Sequence, residues 1–227
     1  MLHILALETS DLHGSVAVAA GDNVLAELHL DAAQRSARSL APAIRSILEK
    51  IRWKPKQIDL VAVTIGPGSF TGLRIGVATA KVFAYAVGAE VLGISTLEAI
   101  AAGAPPEIKR LSVAIDAQRG DVVAQPFYRG EYDLLKPTSE SDLLAMNAWI
   151  AGLEPGSAIA GPVLKKWPGE FPPSVTVLGQ QFWHPTASSV ARLAFRDFSA
   201  GRRDDVWKLL PLYSRPSAAE EKNKLAE

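Results

Sequence analysis

The fold is decided by a glycine-rich segment, Gly66-Pro67-Gly68-Ser69-Phe70-Thr71-Gly72-Leu73-Arg74-Ile75-Gly76. It follows a mostly apolar run, 58–65, whose β-branched residues are typical of a buried strand. It precedes a proline-free stretch, 73–87, rich in alanine and valine, which predicts a helix that ends at Gly88. Ser69 and Thr71 are the candidate N-caps of that helix. A strand, a glycine loop and a helix in this order are typical of α/β proteins that present backbone N–H groups to an anion.

The glycine spacing leaves two interpretations of the loop. No lysine follows the last glycine, as a phosphate-binding P-loop requires, and the pattern is G-x-G-x-x-x-G rather than the dinucleotide-binding G-x-G-x-x-G. The predicted helix is apolar on more than one side, and Gly76, Ala80 and Ala84 recur every four residues, which suits the close approach of another helix. The residues therefore favour a tight turn with a helix-packing surface, and phosphate binding remains the alternative.

Composition excludes several classes of protein. The 227 residues are 48% hydrophobic, which is enough for one large domain or two small ones. The 24 basic and 24 acidic residues cancel, which argues against RNA binding by the chain alone. The absence of cysteine excludes disulfides, thiol catalysis and cysteine-ligated zinc. Since the first residues lack the basic start of a signal peptide and no uninterrupted apolar run is long enough to span a membrane, we expect a cytoplasmic protein without membrane contact.

One local basic run departs from the neutral average. We interpret it as the solvent-exposed face of a helix, with nucleic-acid contact as the alternative. Its members are Arg35, Arg38, Arg45, Lys50, Arg52, Lys54 and Lys56.

Hydrophobic periodicity predicts the same order of elements in both halves of the chain. The first half is predicted to hold strands at 4–7, 15–20, 24–30, 58–65 and 91–94 and helices at 39–51, 73–87 and 96–102. After Ala104-Pro105-Pro106 the second half is predicted to hold strands at 111–115, 121–128, 131–135, 158–161 and 175–178 and helices at 139–150 and 186–200. The charged tail from Arg215 is predicted to be frayed.

This repetition predicts an α/β fold of two mixed sheets flanked by helices, an architecture shared by actin, sugar kinases and heat-shock ATPases. The expected subdomains are 1–103 and 104–227. The first strand of each half ends in a carboxylate, Glu8 and Asp116. These carboxylates could hold Mg²⁺ across a cleft, or they could cap the turns that follow them, and the sequence favours neither. The residues expected near a bound nucleotide phosphate are Glu8, Ser10, Gly66, Gly68, Ser69 and Asp116.

The sequence offers no catalytic or metal-binding constellation. Its four histidines have no metal-ligand spacing, and G-x-S-x-G is absent. We therefore predict no catalytic residue and no metal.

Several segments together resemble the TsaB (YeaZ) family of bacterial tRNA threonylcarbamoyladenosine biosynthesis proteins. The segments are 5–10, 66–76, 93–98, 116–120 and 211–215. The resemblance implies a tandem ribonuclease-H-like fold of the actin and heat-shock ATPase type. It also implies a role in adding threonylcarbamoyl to the adenosine beside the anticodon in tRNAs that read codons starting with A.

The resemblance further implies a non-catalytic subunit whose partners are the catalytic subunit TsaD and the ATPase TsaE. Such a subunit is expected to be a homodimer in isolation, to meet tRNA only through the complex, and to have no cofactor of its own, with ATP or ADP bound only together with TsaD. The alternative is a weak nucleotide-binding protein or ATPase, or a metallo-glycoprotease-like enzyme, that acts by itself.

This chain departs from the family pattern at three places. Thr96 and Ile100 stand where TsaD carries two metal-binding histidines, and an isoleucine cannot ligate a metal. Glu8 replaces the usual aspartate of the first strand, and Ser36-Ala37-Arg38 replaces the usual His-Ser-Glu. The last two departures make nucleotide binding by this subunit less expected.

The resemblance also implies that the helix after the glycine loop and the first long helix form a shared docking surface for a second copy or for TsaD. Such interfaces bury on the order of 1,600 Å². An Ala80→Arg variant is expected to keep the fold and lose partner binding. The expected interface residues are Leu40, Ile44, Ile47, Thr71, Arg74, Gly76, Ala80 and Phe83.

Overall fold

The computed structural model describes residues 1–31, 36–130, 134–167 and 169–214. Its strands are β1 (His3–Glu8), β2 (Ser15–Ala20), β3 (Asn23–His29), β4 (Leu60–Gly66), β5 (Glu90–Ser95), β6 (Arg110–Asp116), β7 (Asp121–Tyr128), β8 (Lys136–Pro137), β9 (Asp142–Ala145), β10 (Ala158–Ala160) and β11 (Thr176–Val177). Its α-helices are α1 (Ser36–Lys50), α2 (Phe70–Val87), α3 (Thr96–Ala102), α4 (Met146–Ala151) and α5 (Ala187–Ser199). Short 3₁₀ turns lie at Pro55–Gln57, Pro162–Lys165 and Gln180–Phe182.

The first sheet has the strand order β3-β2-β1-β4-β5. The first three strands form the predicted antiparallel meander, and β4 and β5 lie parallel to β1. Because side chains alternate along a strand, Leu5 and Leu7 face a core shared with α1 and α2, whereas Ile4 and Ala6 face a core shared with α3 and α5. The first sheet is therefore covered by helices on both faces.

The second sheet has the order β11-β10-β6-β7-β8, and β9 pairs with β7 as well. The predicted helix over 139–150 is wrong in its first half, since 142–145 forms β9 and only 146–151 is helical. The edge of β7 offers unpaired backbone groups, and β9 satisfies them. Of the strand predicted over 131–135, residues 131–133 lie outside the described residues, and 134 and 135 are not in a strand.

Helix α5 follows the second sheet in the chain but packs on β1 and β2 of the first. Its start is held by three side chains: Thr186 caps it by accepting from the Ser189 N–H, Ser15 accepts from the Ala187 N–H, and Glu27 accepts from Ser188. The two mixed sheets flanked by helices confirm the predicted fold class. The division of the chain between residues 103 and 104 stays a prediction.

Residues 202–214 form a segment of loop with one turn at 206–208, here called the C-terminal strap, that the periodicity did not predict. The strap begins along the edge strand β5, where Asp204 pairs with Val91 and accepts a hydrogen bond from the Gly93 N–H. It then crosses α2, whose Lys81 donates to the carbonyls of Trp207 and Leu209. The strap therefore covers an edge that would otherwise be open for pairing. The tail predicted to be frayed, from Arg215, lies outside the described residues.

Helix α2 is the one described helix whose length and hydropathy would suffice to span a membrane. A core helix of a globular protein meets the same criteria, and α2 packs on β4 with Leu73, Val77 and Ala80 buried. These criteria are therefore weak support for a membrane span.

Candidate partner-binding site

The glycine loop packs against the turn that follows β1. Ser69 is the N-cap of α2, and its Oγ accepts from the Gly72 N–H at 3.2 Å. The Ser69 N–H in turn donates to the Ser10 carbonyl at 2.7 Å. Thr71, the other candidate cap, lies inside the helix. At least one loop N–H that could face a phosphate therefore already has a partner within the chain.

The glycines of this segment are required by close packing on the same turn. A Cβ at Gly72 would lie 2.0 Å from the Thr9 carbonyl oxygen, and one at Gly76 would lie 2.1 Å from Thr9 Oγ1. A Cβ at Gly68 would lie 2.5 Å from the Ser10 carbonyl oxygen. At Gly72 and Gly76 the start of α2 thus approaches the turn after β1, whereas Ala80 and Ala84 lie in the core that α2 shares with the first sheet and α1.

Replacing Gly72 by alanine should destabilise the chain by about 2–4 kcal/mol, because the new methyl group meets backbone that cannot rotate away. Urea unfolding followed by circular dichroism would measure this loss. Gly130→Ala is the matched control, since a Cβ there meets no atom of the described residues within 4 Å, and it should change stability by less than about 0.5 kcal/mol. Equal stability of the two variants would contradict the packing role of Gly72.

Glu8 is sealed inside the protein. Its side chain is completely buried, and Oε1 accepts from the Ser10 N–H at 2.6 Å, from Ser10 Oγ at 2.5 Å and from Thr64 Oγ1 at 3.4 Å. Oε2 has no hydrogen-bond partner among the described residues. Burial raises the pKa of Glu8 to about 8, and the hydrogen bonds from Ser10 and Thr64 offset this only in part. The carboxyl group is therefore mostly protonated at pH 7.

Asp116 is more accessible, and its partners are all in the second half of the chain. It accepts from the Gln118 N–H at 2.8 Å and forms an ion pair with Lys166 Nζ at 2.6 Å. Partial burial raises the pKa of Asp116, but the hydrogen bonds from Lys166 and Gln118 and the charge of Lys166 outweigh it and hold the pKa below its usual value. Both strand-end carboxylates, Glu8 and Asp116, bond the N–H two residues ahead, which is the turn-capping interpretation.

The cleft beside the glycine loop is partly filled by the C-terminal strap. The Leu212 N–H donates to the Ile65 carbonyl at 2.7 Å, and a Cβ at Gly66 would lie 2.3 Å from the Leu212 carbonyl oxygen. The remaining cavity, between Pro67 and Val123, is about 180 Å³, smaller than the roughly 300 Å³ at which small-molecule sites begin. The structure thus brings Glu8, Ser10, Gly68 and Ser69 together at the turn after β1, while Gly66 lies against Leu212 of the strap. Nucleotide contact by these residues and by Asp116 stays a prediction.

Most of the residues expected at the interface are buried in the chain's own core. Leu40, Ile47 and Ala80 are at most 1% exposed and pack together against the first sheet. Gly76 lies against Thr9, and Ile44 is 5% exposed. The expectation that Ala80→Arg keeps the fold is therefore wrong, because it would place a guanidinium group in a packed apolar core.

Two of the expected residues, Ile44 and Phe83, line an apolar groove between α1 and α2. Two others, Thr71 and Arg74, are exposed in the first turns of α2, outside this groove. The groove encloses about 670 Å³. Val82 projects from its α2 side and is 69% exposed. Its other apolar lining residues include Ala41, Leu48, Trp53, Ala78 and Ala86.

The apolar surface does not end at the groove. Tyr85, one helical turn from Val82, is 71% exposed and contacts the ring of Trp207 on the strap, which is 68% exposed. At the start of α2, Phe70 packs against Tyr213, and the guanidinium of Arg74 lies 3.8 Å from the Phe70 ring centre. Exposed aromatic side chains held in place in this way are typical of protein interfaces.

A model of the family "TsaD: tRNA N6-adenosine threonylcarbamoyltransferase" matches residues 30–194. The chain belongs to this TsaD family. Among its relatives, TsaB from Bacillus subtilis is 30% identical over 151 residues, which is 66% of each chain. TsaB from Escherichia coli is 28% identical over 235 residues, covering 97% of this chain and 98% of that one. The resemblance to TsaB is thereby confirmed.

Solved structures agree with this assignment at the level of the fold. YeaZ from Pseudomonas aeruginosa superposes with a TM-score of 0.80 over 94% of this chain and 100% of that one, at 24% identity. Thr96 and Ile100, which the resemblance places where TsaD carries metal-binding histidines, are both buried. The described residues contain no group of three or more histidine, aspartate or glutamate side chains that could hold a metal.

Proposed function

We propose that this chain is the TsaB-type subunit of the machinery that forms threonylcarbamoyladenosine beside the anticodon in tRNAs reading codons that start with A. Its task is to bind and activate TsaD, and the chemistry is carried out by that partner. Membership of the TsaD family and the names of the two TsaB relatives support the pathway. The proposed location is the cytoplasm, where tRNA is modified.

The observation that carries the proposal is the apolar groove between α1 and α2. Large contiguous apolar surfaces are rare on monomeric proteins and mark sites of association. A groove between two helices fits the apolar face of an amphipathic helix from a partner. TsaD is the proposed occupant, and a second copy of this chain competes for the same surface in the isolated homodimer.

The buried residues near the glycine loop support a non-catalytic role. Glu8 is protonated and enclosed, and therefore offers no charged oxygen to a cation. Ile100 cannot replace a metal ligand, and strap residues Leu212 and Tyr213 line the small cavity next to the glycine loop. TsaE, nucleotide and tRNA are then expected to join only through the complex with TsaD.

Reconstitution tests the proposal directly. The chain would be co-purified with TsaD from the same organism, and tRNA modification by TsaD and TsaE would be measured with and without it. We expect a stable complex, no product from this chain alone, and at least a tenfold loss of product when it is omitted. Product formed by the purified chain alone, or the same yield without it, would refute the proposed role.

A further inference from the structure

One rim of the groove between α1 and α2 is strongly basic. Residues 36–58, which form α1 and the turn after it, contain six cationic side chains and one carboxylate, Glu49, a net charge of plus five in a chain whose total is zero. The six cations are all exposed. They are Arg38, Arg45, Lys50, Arg52, Lys54 and Lys56. Glu49, Trp53 and Pro55 line the groove and alternate with four of these cations.

These charges are poorly neutralised within the chain. Arg45 is paired with Glu49 at 2.8 Å, whereas Lys50, Arg52, Lys54 and Lys56 form no ion pair among the described residues. The facing helix brings no compensation, because α2 contains no acidic residue and its two cations, Arg74 and Lys81, bond to the strap. The groove is therefore an apolar floor beside an uncompensated positive rim.

We infer that the element which fills this groove is an amphipathic helix with an acidic flank, supplied by a different protein. This inference rests on the proposed function and specifies the chemistry of its partner. The apolar face of such a helix matches the groove floor, and its carboxylates match the rim. A second copy of this chain would bring an identical basic rim, and like charges at an interface are unfavourable.

RNA is a weaker match for the same surface. Nucleic acid would use the cations, but its phosphates cannot fill a groove lined by alanine, leucine and valine side chains. The two rings that line the groove, Trp53 and Phe83, are both partly buried against the core of the first sheet, and Trp53 also contacts His3 with ring centres 4.2 Å apart. The apolar floor of the groove and its basic rim therefore together favour an acidic amphipathic helix over RNA as the occupant.

The test is the triple variant Lys50→Glu, Lys54→Glu, Lys56→Glu, with TsaD from the same organism as the probe. Charges at the rim of an interface change mainly the rate at which the two proteins encounter each other. We therefore expect the association rate to fall by about tenfold or more at low salt and the dissociation rate to change little. The difference should shrink as ionic strength rises above about 0.5 M. The control, Lys109→Glu, Lys165→Glu, Arg192→Glu, changes three exposed cations outside the groove and should leave both rates unchanged.

For self-association of this chain we expect the triple variant not to be weakened, in contrast to its binding of TsaD. In sedimentation experiments the triple variant should dimerise at least as strongly as the unmodified chain, because the repelling rim has been removed. The inference is overturned if association with TsaD is unaffected, if dimerisation is weakened equally, or if the isolated chain binds tRNA through these lysines and TsaD ignores them.

The proposed function and this inference fail in different ways. If Val82→Arg, which blocks the groove floor, still binds TsaD normally, the proposed surface is wrong. If Val82→Arg abolishes binding and the triple variant behaves as the unmodified chain, the surface stands and only the acidic flank is refuted.

Discussion

Replacing Val82 by arginine should weaken binding of TsaD by at least about 100-fold and leave the chain folded. Val82 lies on the α2 side of the groove and is 69% exposed, so the arginine extends into solvent in the free chain. In a complex it would occupy the space of a partner side chain and bury an unpaired charge. Because the substitution adds a cation, an acidic partner would not be repelled by it, and the loss would report on the apolar contact.

Two controls separate this effect from loss of structure. Val177→Arg makes the same change at a half-exposed valine in β11, outside the groove, and should bind TsaD normally. Ala80→Arg should unfold the chain or make it aggregate, since Ala80 is fully buried. Thermal unfolding and surface plasmon resonance would measure the two properties independently. Normal binding by a folded Val82→Arg variant would contradict a docking role for the groove.

Local sequence patterns predicted most of the first sheet because its elements follow one another closely in the chain. Strand 15–20 and helix 96–102 have the predicted bounds, since turn residues and apolar periodicity set both ends. Segment 142–145 became a strand for a non-local reason, namely the free edge of β7. Patterns within one segment do not contain this information.

Five of the eight residues expected at the docking surface are buried in the chain itself, and the position of that surface stays a prediction. Helical spacing identifies an apolar stripe, and it does not say whether that stripe faces the chain's own sheet or a partner. Leu40, Ile47 and Ala80 turned out to be core, while Val82 and Tyr85 are exposed. The strap was missed because 202–214 has no periodicity. The glycines that receive it, Gly66 and Gly93, were the available signal, since their Cβ atoms would collide with Leu212 and Leu209.

Glu8→Gln should remove a large pH dependence of folding stability. The pKa of Glu8 is 4.5 in its ordinary state and about 8 in the folded chain. Between these values the unfolded chain releases a proton that the folded chain retains, so stability falls as pH rises. The fall is about 1.4 kcal/mol per pH unit and, across this window, on the order of 5 kcal/mol. Glutamine keeps the acceptor for Ser10 and does not titrate, so its stability should be nearly constant from pH 5 to 8.

Urea unfolding at several pH values would measure the difference between the two proteins. Asp11 and Asp116 have pKa values held below 3.8, so the stability that they contribute is lost only in more acidic solution and does not affect this window. The matched control is Glu140→Gln at an exposed position, which should keep the slope of the unmodified chain. A constant difference between the Glu8→Gln variant and the unmodified chain from pH 5 to 8 would mean that Glu8 is ionised in the folded state.

The same measurement with added Mg²⁺ decides between the two roles that the sequence left open for Glu8. A sealed, protonated carboxyl group that caps a turn gains nothing from the cation, so the two stability curves should be unchanged. A carboxylate that binds a cation would be stabilised by Mg²⁺, increasingly so above pH 8, and this gain would be absent from Glu8→Gln. We expect no such gain, because both oxygens of Glu8 are buried and Oε1 is already bonded to Ser10 and Thr64.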